Sequence, residues 1–315
     1  MAFTEDDPTS AKNELTLPSF AKINLTLRVH GQRSDGYHEI ETVLQTVTLR
    51  DRLTFRALDS GEIELACDAP DVPADETNLV HRAAIALRER FRIRRGAHIR
   101  IEKRIPAGGG LGGGSSNAAV ALLALARLWR IETNARELGE IGTTLGSDVP
   151  FFLTGGTALG TGRGERIRPL PDAPHAHLLV VSPPVKVPTA EAYKLLNAPA
   201  LTKIESAVNF YVSREGLDFP HPLREALTND FEPAVFRHFP EIERARDALT
   251  GAGARAALLS GSGSSVFGVF DSREHAARAQ EILRGGGSGR VFSCETLSHE
   301  RYREAFGACA RYLAG

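Results

Sequence analysis

The sequence predicts an α/β (α+β) protein of two domains. Three observations carry that expectation. Stretches with strand-like alternation and stretches with helix-like spacing take turns along the chain. Its 315 residues suit two domains or one large one. The composition shifts around Pro171–Pro174, which divides the chain into units 1–172 and 173–315. Residues 1–14 are polar and read as a tail.

From Ile23 the chain alternates: Ile23, Leu25, Leu27 and Val29 point one way, and Lys22, Asn24, Thr26 and Arg28 the other. This predicts a half-buried strand with Lys22 and Asn24 together on its polar face. Gly31–Gly36 read as a turn, and strand-like runs follow at 41–49 and 53–57. Asn78 can cap a helix whose apolar positions are Leu79, Val80, Ala83, Ala84, Leu87 and Phe91. Residues 98–103 alternate as a strand that Pro106 ends. Six glycines lie between Gly108 and Gly114, and Ser115, Ser116 and Asn117 open an Ala/Leu helix to about Trp129. A helix at 135–145 leads into Gly146-Ser-Asp-Val-Pro150. In the second unit, a strand at 177–181 is followed by mixed elements. Strands at 256–259 and 266–270 flank the loop Ser260-Gly-Ser-Gly-Ser-Ser265, and a helix at 274–283 and a strand near Val291 come last.

The glycine loop is the strongest functional signal. Glycine lets backbone N–H groups approach a ligand closely and adopt positive φ. Such a loop, emptying into a helix N-terminus, offers unpaired donors and partial positive charge to an anion. Pro106, Ala107, Gly108, Gly109, Gly110, Leu111, Gly112, Gly113, Gly114, Ser115 and Ser116 are therefore read as a phosphate cradle. A Walker loop would need a lysine after its last glycine, and Ser115 stands there. The string Gly108-x-Gly110-x-x-Gly113 formally matches a dinucleotide fingerprint with Glu132 downstream, but any run of glycines contains it. A flexible linker is the bland alternative, although linkers seldom join a strand to an Ala/Leu helix.

Lys and Arg number 38 against 39 Asp and Glu. That balance provides no broad field for nucleic acid or an anionic membrane, and neither is expected as a partner. The three cysteines are widely separated, which reads as reduced thiols in a cytoplasmic protein. The histidines have no His-x-x-x-His spacing, which speaks against zinc.

Three stretches together resemble the GHMP kinase family: Pro106-Ala-Gly-Gly-Gly-Leu-Gly-Gly-Gly-Ser-Ser116, Leu145-Gly-Ser-Asp-Val-Pro150 and Leu259-Ser-Gly-Ser-Gly263. Pro18-Ser-Phe-Ala-Lys-Ile-Asn-Leu25 and Asp35-Gly-Tyr-His38 narrow the match to a branch whose acceptor carries a cytidine diphosphate group. The resemblance runs from about Ser19 to the last strand. It implies the two-domain GHMP kinase fold with the active site in the cleft between domains, and transfer of the γ-phosphoryl of ATP, with Mg2+, to an alcohol. In that family an Asp matching Asp148 takes the hydroxyl proton, and a Lys matching Lys22 stands beside it, where an ammonium can offset developing charge. Taken alone, Asp148 reads as a turn cap and Lys22 as a solvated side chain. Asn24 is a candidate for the acceptor end. Tyr37 and His38 can flank a flat base, and the resemblance carries Thr189 and Tyr193 into the same pocket. Magnesium typically leans on phosphates and water, and no carboxylate pair marks its ligand here. Other readings remain open: a GHMP kinase acting on mevalonate, homoserine or a sugar, a dinucleotide-dependent oxidoreductase, or a nucleotide-binding regulator without turnover.

Overall fold

The computed structural model describes residues 14–198 and 227–314. The predicted tail lies outside the described residues, except for Glu14, which already belongs to a strand.

Strand β1 (Glu14–Gln32) pairs antiparallel with β2 (His38–Leu58) along nearly its full length. The sequence reads β2 as two runs because Arg50-Asp51-Arg52 interrupts the apolar pattern. The structure keeps it continuous, with the Asp51 side chain turned inward and fully buried. This long strand is the hub of a seven-stranded sheet. Its second half carries β4 (Gly96–Glu102), flanked by β3 (Ile63–Cys67), and its first half carries β5 (Thr157–Gly162), flanked by β6 (Arg166–Pro169). Beside β1 lies the parallel two-residue strand β8 (Thr228–Asn229).

Helices α1 (Leu79–Phe91), α2 (Gly113–Leu128), α3 (Ala135–Leu145) and the short α4 (Val149–Phe152) cover one face of this sheet. Asn78 caps α1 as expected, its side chain accepting from the Val80 N–H. Every residue of α2 from Ser116 to Ala126 is buried, as an all-round apolar helix requires. The other face packs on a four-stranded antiparallel sheet in the order β11-β7-β10-β9. Its strands are β7 (His177–Ser182), β9 (Ala256–Leu259), β10 (Val266–Phe270) and β11 (Arg290–Glu295). Along β7, Leu178 and Val180 face the first sheet. Leu179 and Val181 face a helical layer that includes α5 (Thr189–Leu196), α6 (Glu232–His238), α7 (Pro240–Gly251) and α8 (Arg273–Gly285).

Two features depart from the pattern read in the sequence. Strand β1 is not half-buried: Lys22, Asn24 and Thr26 are 4%, 3% and 5% exposed, because loops from both halves of the chain cover the polar face. The chain end also returns to the first core. There Tyr302 of α9 (His299–Glu304) is fully buried and donates its hydroxyl to the Phe152 carbonyl at 2.6 Å. Among the described residues no helix is long and apolar enough to cross a membrane, and all three cysteines are free.

Candidate active site

The glycine loop leaves β4 at a point fixed by a buried carboxylate. Asp51 Oδ1 accepts from the backbone N–H groups of Arg104 (2.7 Å) and Ile105 (2.8 Å). Its Oδ2 accepts from Lys103 Nζ (2.6 Å) and from Asn117 Nδ2 (3.0 Å), in the first turns of α2. One side chain thus clamps the entrance of the loop to the helix at its exit. Between these anchors the backbone needs glycine. A Cβ on Gly110, at φ +74°, would lie 2.0 Å from the Ser260 carbonyl oxygen, and one on Gly112, at φ +68°, would lie 2.8 Å from Phe152.

Helix α2 begins at Gly113, two residues earlier than predicted, because Gly112 supplies the left-handed turn into it. Gly112 has no side chain to cap the helix, and the Ser116 N–H is the first to close the ladder, onto the Gly112 carbonyl at 2.8 Å. The N–H groups of Gly113, Gly114 and Ser115 therefore have no acceptor within the helix, and the positive end of its dipole opens into the cleft. Residues Pro106 to Ser115 all line that cleft. Ser116 does not: it is fully buried, and its hydroxyl accepts from Ser19 Oγ at 2.7 Å. Glu132, the acidic residue of the dinucleotide reading, follows α2 and faces Arg95, Arg127, Arg130 and Arg311, outside the cleft. The strands around the loop are also mostly antiparallel, unlike a doubly wound parallel sheet.

Lys22 and Asp148 meet beside the loop. The Lys22 N–H donates to the Leu111 carbonyl at 3.0 Å, which ties β1 to the loop. Its Nζ donates to Asn24 Oδ1 at 2.7 Å and stands 3.6 Å from Asp148 Oδ2. Asn24 in turn donates to Thr42 Oγ1 at 2.8 Å, and Thr42 to the Thr26 carbonyl at 2.6 Å, so the buried polar face of β1 is hydrogen-bonded rather than solvated. The Asp148 side chain is 35% exposed and makes no cap bond to α4. Its bland role as a turn cap is therefore not taken up. A separation of 3.6 Å is an ion pair without a direct hydrogen bond, which leaves both groups lone pairs or protons for a third partner.

The second half closes the cleft. The Ser260–Ser265 loop touches the glycine loop directly: Ser260 Oγ donates to the Gly110 carbonyl at 3.1 Å, and the Ser265 N–H to the Gly109 carbonyl at 3.1 Å. Asn229, on β8, fastens this loop by donating to the carbonyls of Leu259 (2.9 Å) and Gly261 (2.8 Å). The spacing of the sequence carries no signal for Asn229 or for Asp51, because both act through partners distant in the chain.

At the far end of the cleft, His38 and Tyr193 stack with ring centroids 4.6 Å apart and an interplanar angle of 22°, and Phe231 meets Tyr193 edge-on. Thr189 and Tyr193 are one helical turn apart on α5, and Thr189 Oγ1 lies 3.2 Å from Ser262 Oγ. Tyr37 is 54% exposed, with the Arg163 guanidinium 4.7 Å above its ring. No sequence pattern marks Arg163, which reaches Tyr37 only through the fold. Burial, and secondarily the Asp148 charge, push the Tyr193 phenol up to about 12, so it stays a neutral donor. Burial also lowers the His38 imidazole below its ordinary range. The cleft enclosing these groups measures about 1170 Å³.

Residues 78–156 match the family GHMP kinases N terminal domain, and residues 217–289 match GHMP kinases C terminal. Two curated relatives are 4-diphosphocytidyl-2-C-methyl-D-erythritol kinases. That of Pelotomaculum thermopropionicum is 44% identical over 86% of this chain and 94% of its own length. That of Solibacter usitatus is 42% identical over 91% and 90%. A crystal structure of 4-(cytidine 5'-diphospho)-2C-methyl-D-erythritol kinase superposes with a TM-score of 0.73 at 36% identity, covering 90% of this chain and 99% of that one. A homoserine kinase from Cytophaga hutchinsonii shares the fold at a TM-score of 0.68 and 20% identity, covering 95% of this chain and 97% of its own. The open helix end, the glycine loop and these likenesses lead to one assignment: the chain belongs to the GHMP kinase family and is an ATP-dependent small-molecule phosphotransferase.

Proposed function

We propose that this chain transfers the γ-phosphoryl group of ATP to the 2-hydroxyl of 4-diphosphocytidyl-2-C-methyl-D-erythritol, a step of non-mevalonate isoprenoid precursor biosynthesis. One observation carries the reading: a single cleft joins the glycine loop to the His38–Tyr193 stack, with Lys22 and Asp148 between them. A donor that is a triphosphate and an acceptor that ends in a flat base would have their reacting atoms at that pair. The relatives named for this substrate support the same choice.

In this reading the unit 1–172 holds ATP and the unit 173–315 closes over it. The free N–H groups at the start of α2 and along Ala107–Ser115 hold the phosphates. Asp148 takes the proton of the attacking hydroxyl, and Lys22 offsets the charge that spreads over the transferring group. Phosphoryl transfer through a loose transition state needs mainly such positioning. Asn24 holds the Lys22 ammonium and borders the acceptor alcohol. His38 and Tyr193 offer a flat wall to cytosine, with Tyr37 and Thr189 at its edges.

The fold family implies a magnesium ion with ATP. The donors available here are oxygens, from Asp148 and from the Ser115 hydroxyl, which faces the Gly146 turn. That set fits a hard cation that keeps several waters and leans on the nucleotide. When bound, the ion would neutralise charge on the phosphate oxygens, with Ser115 holding it directly or through water and Asp148 left to act on the acceptor hydroxyl.

The test is ADP release with ATP and magnesium across an acceptor panel. The cytidylyl substrate should turn over, whereas free methylerythritol, mevalonate and homoserine should not. Equal turnover of mevalonate or homoserine would reject the acceptor assignment.

A further inference from the structure

Away from the cleft, the fold assembles a cluster that sequence spacing does not reveal. His175 and His177 are two residues apart at the entry to β7, and their rings meet edge to face with centroids 4.9 Å apart. Across the β7–β11 ladder, His177 is directly opposite Glu295. One donor atom from each of the three, an imidazole nitrogen of His175, one of His177 and a Glu295 carboxylate oxygen, lies within 4.8 Å of the other two. None of the three lines the cleft.

We propose that His175, His177 and Glu295 form a binding site for a divalent transition metal of the zinc class. Two imidazole nitrogens and one carboxylate oxygen are a donor set that zinc takes, leaving one of four positions for water. Two of the three pairings already have the spacing of ligands around an ion, each through a different carboxylate oxygen. Ligands at zinc bond lengths of about 2.0–2.1 Å in a tetrahedron stand roughly 3.4 Å apart. Here His175 Nε2 is 3.2 Å from Glu295 Oε2, and His177 Nδ1 is 3.4 Å from Glu295 Oε1.

The backbone behind the cluster is fixed. Ala176, between the histidines, donates its N–H to Thr296 Oγ1 at 3.0 Å and accepts the Thr296 N–H at 3.1 Å. Thr296 is itself buried. The Glu295 N–H donates to Thr48 Oγ1 on β2 at 2.9 Å. The three ligands thus need only side-chain rotation to close on an ion. Two neighbouring charges bear on it in opposite senses: the Glu274 carboxylate acts on His177, and the Arg301 guanidinium acts on Glu295. A metal here would staple the segment entering β7 to the last strand, and through Thr48 to the first sheet. Its expected role is therefore to stabilise the seam between the sheets rather than to take part in phosphoryl transfer.

The experiment titrates metal-free protein with zinc chloride alone at pH 7.5, read by calorimetry and by the melting temperature. Cobalt chloride serves as a spectroscopic probe. The wild type should take up one zinc ion, melt at a higher temperature with it, and give an intense visible cobalt band of a four-coordinate site. His177→Ala and Glu295→Gln should each weaken zinc binding by at least about a hundredfold, since even outer contacts to ligands are worth up to that much. They should also abolish the zinc-dependent rise in melting temperature while leaving ADP release unchanged. If His177→Ala does not fold, the exposed His175→Ala provides the same comparison. Zinc uptake by the wild type no tighter than by these variants would overturn the site. So would a cobalt spectrum unchanged by the substitutions.

Discussion

Replacing Asp51 by Asn should weaken the whole cradle, although Asp51 does not line the cleft. Its carboxylate is 0% exposed and accepts four hydrogen bonds, one from the Lys103 ammonium, whose side chain is itself only 8% exposed. An asparagine keeps the shape but loses the charge and turns one acceptor into a donor facing Lys103 or the Arg104 and Ile105 N–H groups. Removing one member of a buried ion pair strands the other, at about 3–5 kcal/mol. For a chain of this size that corresponds to a fall in melting temperature of roughly 10 °C. Differential scanning calorimetry with and without ATP reads the loss. The Michaelis constant for ATP should rise as well, because Lys103 to Ile105 lead into the glycine loop. Adding Lys103→Met should recover part of the stability, since an apolar group leaves no stranded charge. A variant that melts within 2 °C of the wild type, or a double substitution worse than the two singles combined, would refute the clamp.

Asp148→Asn should lower kcat by about 10²–10⁴-fold, the usual contribution of a general base, with ATP affinity nearly unchanged; single-turnover kinetics and nucleotide binding separate the two. Gly110→Ala should raise the Michaelis constant for ATP and destabilise the protein, because a Cβ there strikes the Ser260 carbonyl; unchanged kinetics would show that the two loops need not touch. His38→Ala should chiefly weaken binding of the cytidylyl acceptor, and a fall in ATP affinity instead would reverse the two ends of the cleft. His38 also carries a pH signature. Its folded pKa is depressed below the ordinary value of about 6.5, so the unfolded chain takes the proton first as pH falls. The stability it contributes is therefore present above about pH 6.5 and is lost as pH falls from there through the lower folded value. NMR titration of the ring should give a midpoint below 6.5, and a midpoint above it would contradict the burial.

Much of the site was legible because its chemistry is local in sequence. A glycine run between a strand and an Ala/Leu helix demands positive φ and an open helix end, and both are found at Gly112 and Gly113. The alternation of β1 correctly put Lys22 and Asn24 on one face. It could not show that this face is buried, since the covering loops come from residues 148 and 260–263. Of the short strands that escaped, β8 is only two residues long, and β3, β5 and β6 were hidden for related reasons. In β5 the glycines Gly160 and Gly162 hide the apolar pattern, and β3 and β6 are edge strands of mixed polarity. Ser116 shows the limit of a motif read linearly: one residue after Ser115, the helix has turned its hydroxyl into the core. The His175–His177–Glu295 cluster has no helical His-x-x-x-His spacing, and a His-x-His pair leading into a strand needs its third ligand from the neighbouring strand.

The most direct measurement is a crystal structure with a non-hydrolysable ATP analogue and 4-diphosphocytidyl-2-C-methyl-D-erythritol bound together. The triphosphate should lie under the N–H groups of residues 108–115, the cytosine against His38 and Tyr193, and an Asp148 oxygen within about 2.6–3.2 Å of the 2-hydroxyl. A triphosphate bound elsewhere, or an acceptor hydroxyl out of reach of Asp148 with both ligands in place, would contradict it.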